Sequence, residues 1–419
     1  MWPDVRFVGR GGSSVFGSFS VQGRRRIVLS VILKRSYLFA ATMIFWLSFA
    51  ALAYTYVGYP FLLGLWAKLF GRAVRKQPFA GSFTIVLAAH NEERTIEGRL
   101  TDLCRLAQIA GQTGDIIVAT DGCTDATAAL ARTFEKEHPV RVVELRENRG
   151  KAVALSAAAA LSTADILLFA DARQTWADDA IPQMLANFAD AEVGAVSGDL
   201  VLESSPGVLA GVGLYWRFEK WLRKQESRVH AQVGVTGAIS GVRRALFEPI
   251  PPGTLLDDVY WPLRVAMMGH RVVHDDTARA FDRLPEKSSA EFRRKVRTLA
   301  GNFQLAALVP ASLVPWRNPV WIPWVSRKLM RLVSPWALLG LLIAPLVIGT
   351  PGYLIFLALE GLGYALALAG LMVFRRSRLL GAAASFLVLN AAAWMAFWVW
   401  LLGRTGAAWR KTEYAKTIG

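Results

Sequence analysis

One stretch limits the fold more than any other: from residue 38 to residue 70 the chain carries a single charged side chain, Lys68. A helix needs about 20 apolar residues to cross a hydrocarbon layer of about 30 Å, so this run is long enough to span a bilayer. It is too long for the apolar core of a cleaved signal peptide, and no small-residue cleavage site follows it. Tyr54, Tyr56 and Tyr59, with Pro60, read as an interfacial belt where the span ends. Three further apolar runs, residues 333–348, 353–374 and 379–402, close the chain. The first of these is short for a span, and Glu360 in the second must face a neighbouring helix rather than lipid. The expected layout is a basic arm (1–36), an N-terminal span (37–70), a globular domain (71–290), basic and interfacial helices (291–332), a C-terminal membrane bundle (333–403) and a tail (404–419).

Composition narrows the partners. The formal net charge is +16, which suits phosphates, nucleotides or an anionic lipid surface. No zinc-finger spacing, leucine zipper or RNA-binding aromatic signature accompanies that charge, so nucleic acid is not an expected partner. Two cysteines, Cys104 and Cys123, are too few for a disulfide scaffold and read as free thiols. Arg375, Arg376 and Arg378 mark the loop between the last two runs as cytoplasmic. The globular domain then falls on the same side, giving a multi-pass inner-membrane protein with a cytoplasmic domain.

Between the spans the texture alternates short apolar runs with helical segments. Residues 83–89, 115–120, 140–144 and 166–170 read as strands; residues 95–110, 124–137 and 151–162 read as helices. That rhythm predicts a mostly parallel, Rossmann-like sheet with ligand chemistry at the C-terminal strand ends. Each strand does end in polar residues: His90-Asn91-Glu92-Glu93, Asp121-Gly122-Cys123-Thr124-Asp125, Asn148-Arg149-Gly150-Lys151 and Asp171-Ala172-Arg173. Singly, each is a turn with a helix cap; four in succession point to a nucleotide. Neither G-x-G-x-x-G nor G-x-x-x-x-G-K-[ST] occurs, which removes support for dinucleotide oxidoreductases and P-loop NTPases. In 215–228, Trp216 and Trp221 are spaced as a packing stripe or a sugar or membrane contact.

Taken together, A-H-N-E-E, T-D-G-C-T-D, N-R-G-K, F-A-D-A-R, T-G-A-I-S-G-V-R-R and L-L-D-D-V resemble the family 2, GT-A-type membrane glycosyltransferases related to cellulose, hyaluronan and poly-N-acetylglucosamine synthases. The resemblance runs from about Phe83 to Gln304. It implies a UDP-sugar donor, a saccharide or lipid-linked acceptor, and Mg²⁺ or Mn²⁺ as cofactor. By position it assigns Asn91, Glu93, Asp121 and Lys151 to the nucleotide, and Asp171 to the diphosphate and its metal. Asp258, second of the Asp257-Asp258 pair, becomes the catalytic base, and Thr236, Gly237 and Ala238 line the acceptor side. The bland alternative for Asp257-Asp258 is a helix N-cap pair.

Two positions depart from the pattern. The D-x-D triad is Asp171-Ala172-Arg173, so its second carboxylate is missing and Arg173 is expected to offset diphosphate charge. The Q-x-x-R-W motif is reduced to Arg294-Lys295-Val296-Arg297-Thr298; Arg294 and Arg297 are expected to meet the diphosphate, while the missing Trp leaves processivity open. Two alternatives follow from the same residues: single-sugar transfer to a polyprenyl phosphate, and a non-catalytic nucleotide-binding membrane scaffold. No export partner is legible in the residues.

Overall fold

The computed structural model describes residues 21–203, 210–283, 288–373 and 377–404. Arg375 and Arg376, with the basic tail, lie outside the described residues. The first helix, α1 (Val21–Ala53), runs through a π-helical turn (Tyr54–Gly58) into α2 (Tyr59–Phe70). The globular part follows as β1 (Phe83–Ala89), α3 (Ile96–Ile109), β2 (Gly114–Asp121), α4 (Thr127–Thr133), β3 (Val140–Leu145), α5 (Lys151–Leu161), β4 (Ile166–Ala170), β5 (Thr175–Trp176), α6 (Ala180–Ala186), β6 (Val193–Glu203), α7 (Ala210–Val229), β7 (Ile239–Arg243), α8 (Asp257–Met267) and β8 (Arg271–Arg283). Then come α9 (Ser288–Leu308), the single turn α10 (Trp321–Pro323), a second π-helical turn (Trp324–Leu329), α11 (Met330–Ile348), α12 (Pro351–Met372) and α13 (Arg378–Leu401).

The strands form one sheet in the order β3-β2-β1-β4-β7-β6-β8-β5. The first four are mutually parallel; β4 pairs antiparallel with β7, β7 antiparallel with β6, and β6 parallel with β8. The expected mixed, mostly parallel GT-A architecture is therefore the one observed. Strand alternation splits the core into two layers. Ile85, Leu87, Ile116, Val118, Ile166 and Leu168 pack on the face covered by α3 and α6. Val86, Ile117, Leu167 and Phe169 pack on the other face, under α5 and α8. Period-two alternation is what places successive side chains on opposite faces, so a one-residue slip would invert both layers.

The second layer does not stop at the globular part. Val296, Ala300 and Leu305 of α9, Trp324, and Ala392 and Ala396 of α13 belong to the same buried cluster. The sheet and the long apolar helices thus share one core. Among the described residues four helices are long and apolar enough to cross a membrane: Ile32–Phe70, Trp321–Ile348, Pro351–Met372 and Leu379–Leu401. The second starts at Trp321, not at the apolar run's first residue, because the Pro- and Trp-rich segment before Val333 continues helically into it. Large apolar side chains such as Leu47, Phe61, Leu346 and Ile355 are exposed along these helices. Contiguous exposure of that kind in water would be a liability, and it suits lipid. α1 and α11 pack closely: a Cβ on Gly340 would sit 2.4 Å from Ser48 Oγ.

Candidate active site

Two tight turns build the rim of the site. Gly122, one residue past β2, has φ +57°, and a Cβ there would lie 2.2 Å from the backbone nitrogen of Asn148. Only glycine lets the β2 end approach the β3–α5 loop so closely. Asp121 fixes that loop: its carboxylate accepts from the Arg149 amide at 2.7 Å and the Gly150 amide at 2.8 Å. Asp121 is almost fully buried, so it acts first as the brace of this loop. Asn91 holds the other turn. It has φ +53°, and its Oδ1 accepts from the Thr124 amide at 2.8 Å. Glu93 Oε2 accepts from the Ala126 amide at 3.4 Å, tying the β1 and β2 ends together.

Behind the rim, Lys151 opens α5 and reaches inward. Its Nζ donates to Asp171 Oδ1 at 2.6 Å and lies 3.7 Å from Asp257 Oδ2. Burial pulls the Lys151 pKa down, but Asp171, Asp257 and Asp258 together push it well above the ordinary lysine range, so it stays an ammonium. Arg99 Nε donates to the Asp171 carbonyl at 3.1 Å and its guanidinium lies 5.1 Å over the Trp176 ring. Arg99 therefore positions the strand end that carries Asp171, a role that its place inside α3 did not advertise.

The acceptor-side stretch meets the same group. A Cβ on Gly237 would sit 3.3 Å from Lys151 Nζ and 3.5 Å from Asp171 Oδ2, so a side chain here would press on the Lys151 ammonium. The Val235 amide donates to the Asp258 carbonyl at 2.8 Å, which pins the loop holding Thr236 against the start of α8. Thr236 receives its own support from Ser197 Oγ, which accepts from its amide at 3.1 Å, and the Ala238 carbonyl accepts from Trp176 Nε1 at 2.8 Å. Lys151, Phe169, Gly237, Asp257, Asp258 and Trp261 thus line a single cavity. Burial, and then Asp257 beside it, push the Asp258 carboxyl up to about 6, against the pull of Lys151, Lys328 and Arg223.

The remaining candidates stand apart. Arg173 turns from Asp171 to Asp282, with Nη2 2.7 Å from Oδ2. Arg297 on α9 donates to the Leu255 carbonyl at 3.4 Å, at the approach to α8, and Arg294 is exposed one turn before it. Asp171 Oδ2 accepts no hydrogen bond among the described residues, and no three metal-binding side chains come together among them. That donor set fits a divalent ion arriving with diphosphate oxygens, not one resident on side chains alone.

Residues 84–250 match the Glycosyl transferase family 2 model. The chain carries a family 2 glycosyl transferase domain. The match stops before Asp257, so the Asp257-Asp258 pair joins the site on geometry. Poly-beta-1,6-N-acetyl-D-glucosamine synthase of Staphylococcus aureus is 25% identical over 236 residues, covering 53% of this chain and 55% of that protein. The Staphylococcus epidermidis enzyme of the same name is 22% identical over 228 residues, with the same coverage. The chain spans about half the length of the curated relatives it matches. A mannosyltransferase from Pyrobaculum calidifontis, solved with GDP-Man and Mn²⁺, shares the fold with a TM-score of 0.68 at 22% identity, over 86% of this chain and 99% of that one. The family 2 domain is thus embedded in a longer shared fold that takes in more than residues 84–250.

Proposed function

We propose that the chain is a membrane-bound inverting glycosyltransferase that moves a sugar from a nucleotide diphosphate sugar, expected to be a UDP-sugar, to a hydroxyl of a saccharide or lipid-linked acceptor at the inner membrane, with its catalytic domain in the cytoplasm. One observation carries this reading: Lys151, Asp257 and Asp258 line one cavity at the C-terminal edge of the parallel sheet, and Asp171 at the end of β4 bonds the same Lys151. In the reaction, the acceptor hydroxyl oxygen forms a bond to the anomeric carbon while the bond from that carbon to the β-phosphate oxygen breaks. The hydroxyl proton passes to Asp258, and the electron pair leaves on the diphosphate. A carboxyl raised to about 6 is still mostly ionised at neutral pH and is a stronger base than an ordinary aspartate. Lys151 faces the leaving charge, and its release from Asp171 on donor entry would bring its ammonium to the phosphates. A divalent ion bound with the donor would be held by Asp171 and would supply further charge neutralisation of the leaving diphosphate. Asn91, Glu93 and Asp121 shape the nucleotide rim, with Thr236, Gly237 and Ala238 on the acceptor side.

The test is a panel of radiolabelled UDP- and GDP-sugars offered to the purified protein in nanodiscs, with lipid extract as acceptor. Transfer from one donor, abolished in Asp171→Ala, is the expected outcome. Nucleotide binding without transfer from any donor would replace the enzyme with a nucleotide-binding scaffold.

A further inference from the structure

The face of α7 turned to the membrane helices carries Trp216, Glu219, Arg223 and Glu226, offsets of three, seven and ten residues that share one side of a helix. Opposite them lies the π-helical turn Trp324–Leu329, which presents Arg327 and Lys328, with Arg331 one turn later. Both carboxylates are fully engaged. Arg327 bonds Glu226 at 2.5 Å and Glu219 at 3.1 Å, Arg331 bonds Glu219 at 2.5 Å, and Tyr59 donates to Glu226 at 2.8 Å. The junction therefore holds four basic side chains, of which Arg327 and Arg331 pair with these two glutamates.

The two cations left over are Arg223 and Lys328. Both are half-buried, and neither has a carboxylate within ion-pair distance among the described residues. Arg223 lies 5.9 Å over the ring of Trp216, whose indole nitrogen is itself buried without a hydrogen-bond acceptor. Among the described residues these three donors have no hydrogen-bond acceptor, at the foot of a helix long and apolar enough to cross a membrane. Withdrawing cations from water without a carboxylate at ion-pair distance costs free energy, and ionisable groups at such a position mark a candidate ligand site. Within the site both act electrostatically on Asp258, the carboxylate that Lys151 also acts on. A ligand held there is within electrostatic reach of the base.

We infer that Arg223, Lys328 and the Trp216 indole N–H form a seat for a phosphate group carried by the acceptor, so that the acceptor is a phosphate-bearing, lipid-linked saccharide rather than a neutral glycan. Two basic side chains and a neutral N–H donor match the anionic oxygens of a phosphate ester, and guanidinium and ammonium groups are the side chains that bind one. The assignment rests on the transferase reading, since it takes Asp258 as the group that meets the acceptor hydroxyl.

The experiment measures binding without turnover. Full-length protein in nanodiscs of neutral lipid is titrated with radiolabelled farnesyl phosphate, with farnesol and inorganic phosphate as competitors. Arg223→Gln and Lys328→Gln are each expected to weaken farnesyl phosphate binding roughly tenfold, equivalent to about 1.4 kcal/mol, while UDP binding stays at the wild-type value and reports an intact fold. Farnesol should not compete, and inorganic phosphate should do so only at concentrations roughly a hundredfold higher or more, because it lacks the chain. Equal affinity in wild type and both variants, or competition by farnesol, overturns the seat. Inorganic phosphate competing at the concentration of farnesyl phosphate overturns the lipid-borne assignment. Protein that binds farnesyl phosphate but transfers no sugar refutes the transferase reading alone.

Discussion

If Asp258 is the base, the pH profile of kcat/KM for the acceptor must carry its signature. Burial and the adjacent Asp257 hold the Asp258 carboxyl at about 6. A base works only when ionised, so the rate should fall as pH drops through that value. About nine-tenths of the group is ionised at pH 7 and about one-tenth at pH 5, which predicts a roughly ninefold loss between them. An aspartate at the ordinary value near 4 would lose little over that range. Asp258→Asn should lower kcat by about 10²- to 10⁴-fold and leave the residual rate flat with pH. Lys151→Met provides the sign check. Lys151 pulls the Asp258 pKa down, so removing its charge should move the acid limb to higher pH, whatever it does to the amplitude. Initial rates in nanodiscs at saturating donor, from pH 5 to pH 9, give all three profiles. A limb that is absent above pH 5 in the wild type, or that moves to lower pH in Lys151→Met, would falsify the assignment of Asp258.

The structure makes two other predictions. Arg327→Leu leaves Glu219 and Glu226 facing each other with one fewer cation, and breaking a buried pair in this way costs about 3–5 kcal/mol, so thermal unfolding in detergent should show a clearly lowered midpoint; an unchanged midpoint would mean the network adds nothing to stability. Since Asp171 is the carboxylate available to a cation and Lys151 already bonds it, calorimetry should detect no Mn²⁺ binding to the protein alone but clear binding once UDP is present; one-to-one Mn²⁺ binding without nucleotide would contradict that arrangement.

How much of this was legible beforehand depended on whether the signal was local. The parallel half of the sheet was, because β1, β2, β3 and β4 are short apolar runs each followed by turn residues, and the helices between them have their own periodicity. The other half was not. β6 and β8 pair through bulges over long, mixed-polarity stretches, and β5 is two residues long, so neither alternation nor length marks them. Within the site, the motif positions Asn91, Asp121, Lys151, Asp171 and Gly237 do come together around the strand ends. What each side chain does there depended on partners the sequence does not order. Asp121 spends both carboxylate oxygens on the backbone of its neighbouring loop, and Arg173 pairs with Asp282, more than a hundred residues away.

The junction between domain and membrane shows the same limit and its physical cause. Glu219, Arg223 and Glu226 are readable as a charged helical stripe, and such stripes usually face water. Ser326, Arg327 and Lys328 are readable as a basic interruption of a Trp-rich segment, and such interruptions usually mark a loop or an interface. Each reading is reasonable alone. The two become a buried network only because π-helical turns interrupt both membrane helices at one level, where Tyr54 and Ser326 hydroxyls meet at 2.7 Å and Tyr59 reaches Glu226. A π-turn inserts one residue into the helical register and so rotates the side chains that follow it relative to those before it. In that turn Arg327 meets Glu219 and Glu226, and Lys328 adds to the field at Asp258, which makes this long apolar helix part of the site's electrostatics. The same shift makes the mature site inseparable from its membrane anchor: a soluble fragment ending before Trp321 would lack Arg327, Arg331 and Lys328, leaving Glu219 and Glu226 buried without their cations.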